Sequence, residues 1–213
     1  MGILRKGLLG PVKNKTGAVI GRQHRGQNVL TGLQNPSTKP PTEKQLEERR
    51  KFGMLNSFLS DIDKLVNVGF KHYAKIKTPV NVAYSYNVDH AFVKQGEEWQ
   101  LNFPEMVYSR GHVDTPEGAT VAPDADVHTV LFSWLAQKQT ASCQFADQAS
   151  FLMYNASKNK ALILINATNR YALSYPLTLP AEFFGDTLHC YMNFNSADGK
   201  QSGDSMYLGE LIF

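Results

Sequence analysis

At 213 residues, 42% hydrophobic and 19% charged, the chain is long enough to bury one good core or two small ones, which excludes disorder of the whole. Its formal net charge of +3 hides two opposed parts: residues 1–51 carry 11 Lys/Arg against 3 Asp/Glu, and residues 52–213 carry 11 against 16. The longest apolar stretches, such as 161–165, fall far short of the roughly 20 residues a membrane-spanning helix needs, and Pro11 and Lys13 interrupt any secretory signal core, so neither a span nor a signal peptide is expected.

Residues 1–41 read as an extended basic arm. Glycines stand at irregular spacing from Gly2 through Gly7, Gly10, Gly17, Gly21 and Gly26 to Gly32, and Pro36, Pro40 and Pro41 follow. Both residue types oppose helix. Short apolar pairs, Ile3-Leu4, Leu8-Leu9, Val19-Ile20 and Val29-Leu30, alternate with basic side chains, so 12–20 and 27–33 suit addition to a neighbouring sheet edge. In this reading those eight residues are docking anchors, and Arg5, Lys6, Lys13, Lys15, Arg22 and Arg25 steer them to an acidic surface.

A helical segment is expected over 42–100. Thr42 and Gln45 form a Thr-x-x-Gln capping box after Pro41, and Leu55, Phe58, Leu59, Ile62, Leu65 and Val66 follow the spacing of one buried face. Gly69 offers a left-handed C-cap with Phe70 packing back. A second helix starts at Thr78-Pro79 and places Val82, Ala83, Tyr86, His90 and Val93 on roughly one face.

From about Leu101 the period changes to two. Candidate strands are 105–109, 127–135, 149–155, 161–166, 170–177, 187–195 and 205–213, with Asp198-Gly199 as a tight-turn signal. Seven short strands with Trp134 on the second predict an antiparallel immunoglobulin/fibronectin-III-like β-sandwich over 101–213, with a jelly roll as the competing string. The expected fold is therefore α+β: an extended N-terminal arm and two helices followed by that sandwich.

The strings GILRKGLLGPVKNKTGAVIGRQHRGQNVL, KPPTEKQLEERRKF, NVGFK, VYSRG and NFNSADGKQSGDSMYLGELIF together resemble an uncharacterised domain-of-unknown-function family of Bacteroidota chromosomes and prophages, with its glycine-rich N-terminal arm. The likeness runs over essentially the whole chain. It implies family membership and brings no catalytic residues with it.

No catalytic signature fits this sequence. The chain has no Gly-x-Ser-x-Gly elbow, no phosphate-binding loop and no His-Glu-x-x-His pair. His24, His72, His90, His112, His128 and His189 lie far apart in sequence, and Asp61 and Asp63 read as the solvated side of the first helix. No enzyme, cofactor or metal is expected. Cys143 and Cys190 are two buried thiols, or one bridge if they face each other across the sandwich.

Three functions are open to this pattern. The first is a non-enzymatic structural subunit that assembles through its arm as a homo-oligomer or with other particle proteins, in a phage or prophage virion or in a surface filament. The second is a ligand-binding module for a glycan, using Tyr84, Tyr86, Trp99, Tyr171, Tyr175 and Tyr191. The third is a nucleic-acid binder through the basic arm, which lacks stacking platforms because no Phe, Tyr or Trp precedes Phe52. Localisation is left open by this pattern, with which cytoplasmic synthesis and virion or cell-surface assembly are compatible.

Overall fold

The computed structural model describes residues 3–4, 10–24, 26–36, 38–74, 77–124 and 128–212, at 3–4 through the backbone alone. The chain divides into two compact units, Met1–Gln45 and Leu46–Phe213.

The first unit holds β1 (Ile3–Leu4), β2 (Val12–Thr16), β3 (Val19–His24) and β4 (Gln27–Gly32), paired antiparallel in that order. Where the sequence suggested extended strands suited to a foreign edge, the chain supplies partners of its own. The run 12–20 is split by a turn at Gly17-Ala18 that sets Thr16 opposite Val19, and β3 then pairs with β4 from Val19↔Gly32 to His24↔Gln27. Gly21 is required by close approach, because a Cβ there would stand 2.1 Å from the carbonyl oxygen of Val12.

The second unit begins with α1 (Glu43–Asp61), whose first residues belong to the first unit. Its predicted capping box is formed: the Thr42 N–H donates to Gln45 Oε1 at 3.1 Å, and the Gln45 N–H donates to Thr42 Oγ1 at 3.3 Å. The single helix expected as far as Gly69 is broken at Ile62, where ψ turns to 23°, and α2 (Asp63–Gly69) follows. The break keeps Ile62, Leu65 and Val66 all buried, so the apolar stripe carries no trace of it. Gly69 does not take the left-handed conformation expected; its role is clearance, since a Cβ would meet Tyr108 O and Ser109 Cα at 2.5 Å. Phe70 caps the helix and is buried as predicted.

Then α3 (Pro79–Asn87) starts where Thr78 Oγ1 accepts from the Asn81 N–H at 3.3 Å. It ends at buried Asn87, whose side chain exchanges two hydrogen bonds with the Val107 backbone. His90 and Val93 therefore lie beyond the helix, Val93 in a hairpin of β5 (Phe92–Gln95) and β6 (Glu98–Leu101) that the helical reading of 42–100 did not foresee.

Seven strands complete the unit: β7 (Thr120–Pro123), β8 (Thr129–Ser133), β9 (Gln148–Asn155), β10 (Lys160–Asn169), β11 (Ser174–Thr178), β12 (Thr187–Asn195) and β13 (Met206–Ile212). Expected strands at 149–155, 161–166, 187–195 and 205–212 are present within a residue or a few of their predicted bounds. The expected strand 105–109 is instead a 3-10 turn, Phe103–Glu105, and irregular chain; Arg170–Ala172 is another such turn, so β11 begins only at Ser174. Residue 127 and Phe213 of the expected strands fall outside the described residues.

The sheets are open and antiparallel, in the orders β10-β9-β12-β13 and β11-β8-β7. Side chains alternate across β9 and β12. Leu152, Tyr154 and Tyr191 join the helical core around Leu55, Phe58, Ile62 and Phe70, whereas Phe151, Met153, Cys190, Met192 and Phe194 join Val130, Phe132, Trp134 and Leu177 of the smaller sheet. The four-stranded sheet is thus a middle layer, covered by helices on one face and by strands on the other. That is why β9 and β12 read as almost unbroken apolar runs.

Candidate docking surfaces

The N-terminal sheet has the chemistry of a surface and the backbone of a fold. Residues 1–42 contain seven Lys/Arg and no Asp/Glu. Among the described residues from Gly10 to Gln45, Gly21 alone is buried. Pairing places Ile20, opposite Thr31 and Lys15, on the same face as Val29, opposite Arg22; Val19 and Leu30 take the other face. Ile20 and Val29 are half-buried, while Val19 is 39% and Leu30 60% exposed. Lys13, Lys15 and Arg22 are exposed and make no ion pair among the described residues. Of the other predicted anchors, Ile3 and Leu4 form β1, and Leu8, Leu9, Arg5, Lys6 and Arg25 lie outside the described residues.

The remaining candidates are dispersed. His189 stacks on Phe103 at 3.9 Å between ring centroids and shares a hydrogen bond with Tyr207 Oη at 3.0 Å; burial holds its pKa below the ordinary imidazole range, against the pull of Glu210. His128 stacks on Phe184 at 4.1 Å. His72 and His112 meet Lys77 and Ser202 at an open cleft of about 530 Å³. Asp61 accepts from the Tyr154 hydroxyl at 3.4 Å and is raised by partial burial. Cys143 and Cys190 are both buried and unpaired, and burial pushes the Cys190 thiol up to about 12. Among the described residues no group of three His, Cys, Asp or Glu is placed to hold a metal, and no helix is long and apolar enough to cross a membrane.

Nor do the aromatic residues singled out from the sequence converge. Tyr191 is fully buried and Tyr175 stacks on Phe151. Tyr84 packs on Phe52, and Tyr86 lies under the Arg110 guanidinium at 4.6 Å. Trp99 lines a groove of about 460 Å³ with Phe103 and Tyr154, its indole covered by Lys51 Nζ at 3.6 Å and its N–H donated to Glu47.

One surface was not read from the sequence. Leu135, Phe145, Tyr171 and Leu173 are 58%, 43%, 69% and 39% exposed at one end of the smaller sheet. Of the four, only Tyr171 stands among the aromatic residues the sequence offers for glycan binding, and exposed Leu and Phe cannot be told from core residues by type.

Fold and surfaces together define a mixed α+β protein with a basic, coreless N-terminal sheet preceding a layered body. The model of a family described as of unknown function, DUF6266, matches residues 10–209, and the chain belongs to that family. No curated protein and no solved structure matches it.

Proposed function

We propose that this chain is a non-enzymatic structural subunit that assembles by docking its basic N-terminal sheet on the acidic body of another copy. The observation that carries the reading is a sheet with charge of one sign and no core of its own. Small sheets hold together only when one face is packed, and here the described apolar side chains of both faces stay exposed or half-buried. The body is complementary: residues 46–213 carry 14 Lys/Arg against 18 Asp/Glu. A sheet-on-body contact joins unlike surfaces, so it propagates into rings, shells or open filaments. A phage or prophage virion component is the context we favour, with a surface filament subunit as the related form.

We also read the β half as an immunoglobulin/fibronectin-III-like sandwich carrying a helical cover. The supports are the two packed sheets, with β7, β8 and β11 in one and β9, β10, β12 and β13 in the other, and Trp134 in the core between them.

Light scattering and negative-stain microscopy of the full chain, beside a deletion of residues 2–34, test the assembly. Large regular particles that disappear on deletion are expected. Unchanged assembly by the deletion variant, or a monomeric full chain at every salt concentration, overturns the reading.

A further inference from the structure

The groove that Trp99 lines is built between α1, β6 and the turn from β9 to β10. It holds about 460 Å³, within the range of roughly 300–1,000 Å³ in which small molecules bind. One wall is apolar, made by Met54, Trp99, Leu101 and Phe103. The indole is held in place, its N–H donated to Glu47 and one face covered by Lys51 Nζ at 3.6 Å. Phe103 is fixed by His189, stacked on it at 3.9 Å, and by Tyr154 at 5.6 Å between ring centroids. A wall fixed before binding loses little freedom when covered.

Gly53 is the second observation. Glycine is the poorest helix former after proline, yet it stands in the middle of α1 on the groove side, with no left-handed φ to require it. Nor does packing require it, because a Cβ there would meet nothing within 4 Å. The missing side chain serves neither the helix nor its neighbours. What it leaves is room in the groove, one helical turn from Ser57.

The polar groups of the groove are neutral and little used. Ser57 Oγ, the Gln100 amide and Asn159 Nδ2 make no hydrogen bond among the described residues. The Tyr154 hydroxyl has one proton for two acceptors, Asn159 Oδ1 at 3.3 Å and Asp61 Oδ2 at 3.4 Å, so one acceptor stays open to an incoming donor. Among the described residues no Lys, Arg, His, Asp or Glu lines the groove. An ionic ligand would lose its hydration there without a counter-charge. A purely aliphatic one would cover Ser57, Gln100 and Asn159 and leave them unpaired. A pyranose meets both conditions: its hydroxyls donate and accept as the amides and the serine do, and its C–H face suits aromatic and aliphatic carbon.

We propose that this groove binds a neutral saccharide of one or two pyranose rings. The C–H face rests on the wall of Trp99, Leu101 and Phe103, the hydroxyls pair with Ser57, Gln100 and Asn159, and Gly53 gives the ring clearance against the helix. All of these residues belong to the second unit, so the inference goes beyond the assembly reading and does not depend on it.

The test titrates the full chain by calorimetry with glucose, maltose, cellobiose and diacetylchitobiose, beside glucuronate and a polyproline peptide. Acrylamide quenching follows the same titrations. Trp134 is 4% exposed and Trp99 only half-buried, so quenching reports chiefly on Trp99. A neutral sugar is expected to bind and to protect the indole, with glucuronate at least about ten-fold weaker. Gly53→Leu brings in a good helix former and fills the groove, so binding is expected to vanish while the melting temperature stays at or above wild type. Ser57→Ala with Gln100→Ala is expected to weaken binding roughly ten-fold or more. Tyr171→Ser, at an exposed tyrosine elsewhere, is expected to leave it unchanged. Binding without indole protection, binding that survives Gly53→Leu, or no binding by any neutral sugar overturns the site. A preference for glucuronate or for polyproline, the extended ligand that aromatic grooves also admit, overturns the saccharide assignment. Neither result bears on assembly, which the deletion of residues 2–34 tests separately.

Discussion

Arg170 is the bulkiest fully buried side chain among the described residues, and its charge is matched by a single buried carboxylate, Asp147. Replacing it by Met strands that carboxylate in the core; we expect a loss of about 3–5 kcal/mol in urea unfolding. Removing both charges, Arg170→Met with Asp147→Asn, should cost less than the sum of the single changes, as a double-mutant cycle will read directly. His189 gives a second prediction. Its folded pKa lies below the unfolded value of 6.5, so above that value the ring is neutral in both states and contributes no pH dependence. As pH falls through 6.5, the unfolded chain takes up a proton that the folded chain refuses, and stability is lost until the folded pKa is reached. The melting temperature should therefore drop below neutral pH, and His189→Gln should flatten that drop. Neither role was legible beforehand. The sequence placed His189 on a strand as a satisfied residue, correctly in kind, but gave Arg170 only as the start of a strand, because a buried arginine declares itself through partners drawn from residues 114, 137 and 147.

At the scale of elements, local chemistry was readable and long-range chemistry was not. Both helix starts follow from side chains within three residues of the backbone donors they satisfy, Thr42 with Gln45 and Thr78 with Asn81. Thr78→Ala should cost about 1 kcal/mol in thermal or urea unfolding. The strands β9 and β12 were legible because burial on both faces leaves their composition little choice. By contrast β7 is four residues ending in Pro123, too short to show a period, and the β5–β6 hairpin was masked by apolar spacing that extends the α3 pattern to Val93. Gly69 is legible as the end of the helix, but the reason for a glycine there is not. It answers to the backbone of Tyr108 and Ser109, some forty residues away, which no local reading supplies. Gly69→Ala must push two backbone atoms aside, and we expect a destabilisation of about 1–3 kcal/mol by the same unfolding assay.

At the scale of the molecule, the charge division was the most legible feature, since it needs no structure, while the pairing of the basic segment into its own sheet was invisible in glycine-rich sequence of low hydrophobicity. If opposite charges hold copies together, assembly must respond to ionic strength. The screening length falls from about 10 Å at 0.1 M to about 3 Å at 1 M salt, so particles formed at low salt should shrink or dissociate across that range. Reversing Lys13, Lys15 and Arg22 to Glu should prevent their formation at low salt, with light scattering as the measure. Wild-type particles unaffected by 1 M salt would assign the contact to apolar burial alone.

The middle sheet has a further consequence for how the body comes apart. Strands β9 and β12 serve both cores at once, so neither the helices nor the smaller sheet can be lost without exposing one of their faces. Melting of either cover removes support from the other through a shared wall, which ties residues 46–213 into one cooperative transition rather than a helical and a β step. Amide deuterium exchange should show it: the backbone N–H groups that join β9 to β12 should exchange last and together, through global opening, while those of the N-terminal sheet exchange on their own, faster clock in the unassembled chain.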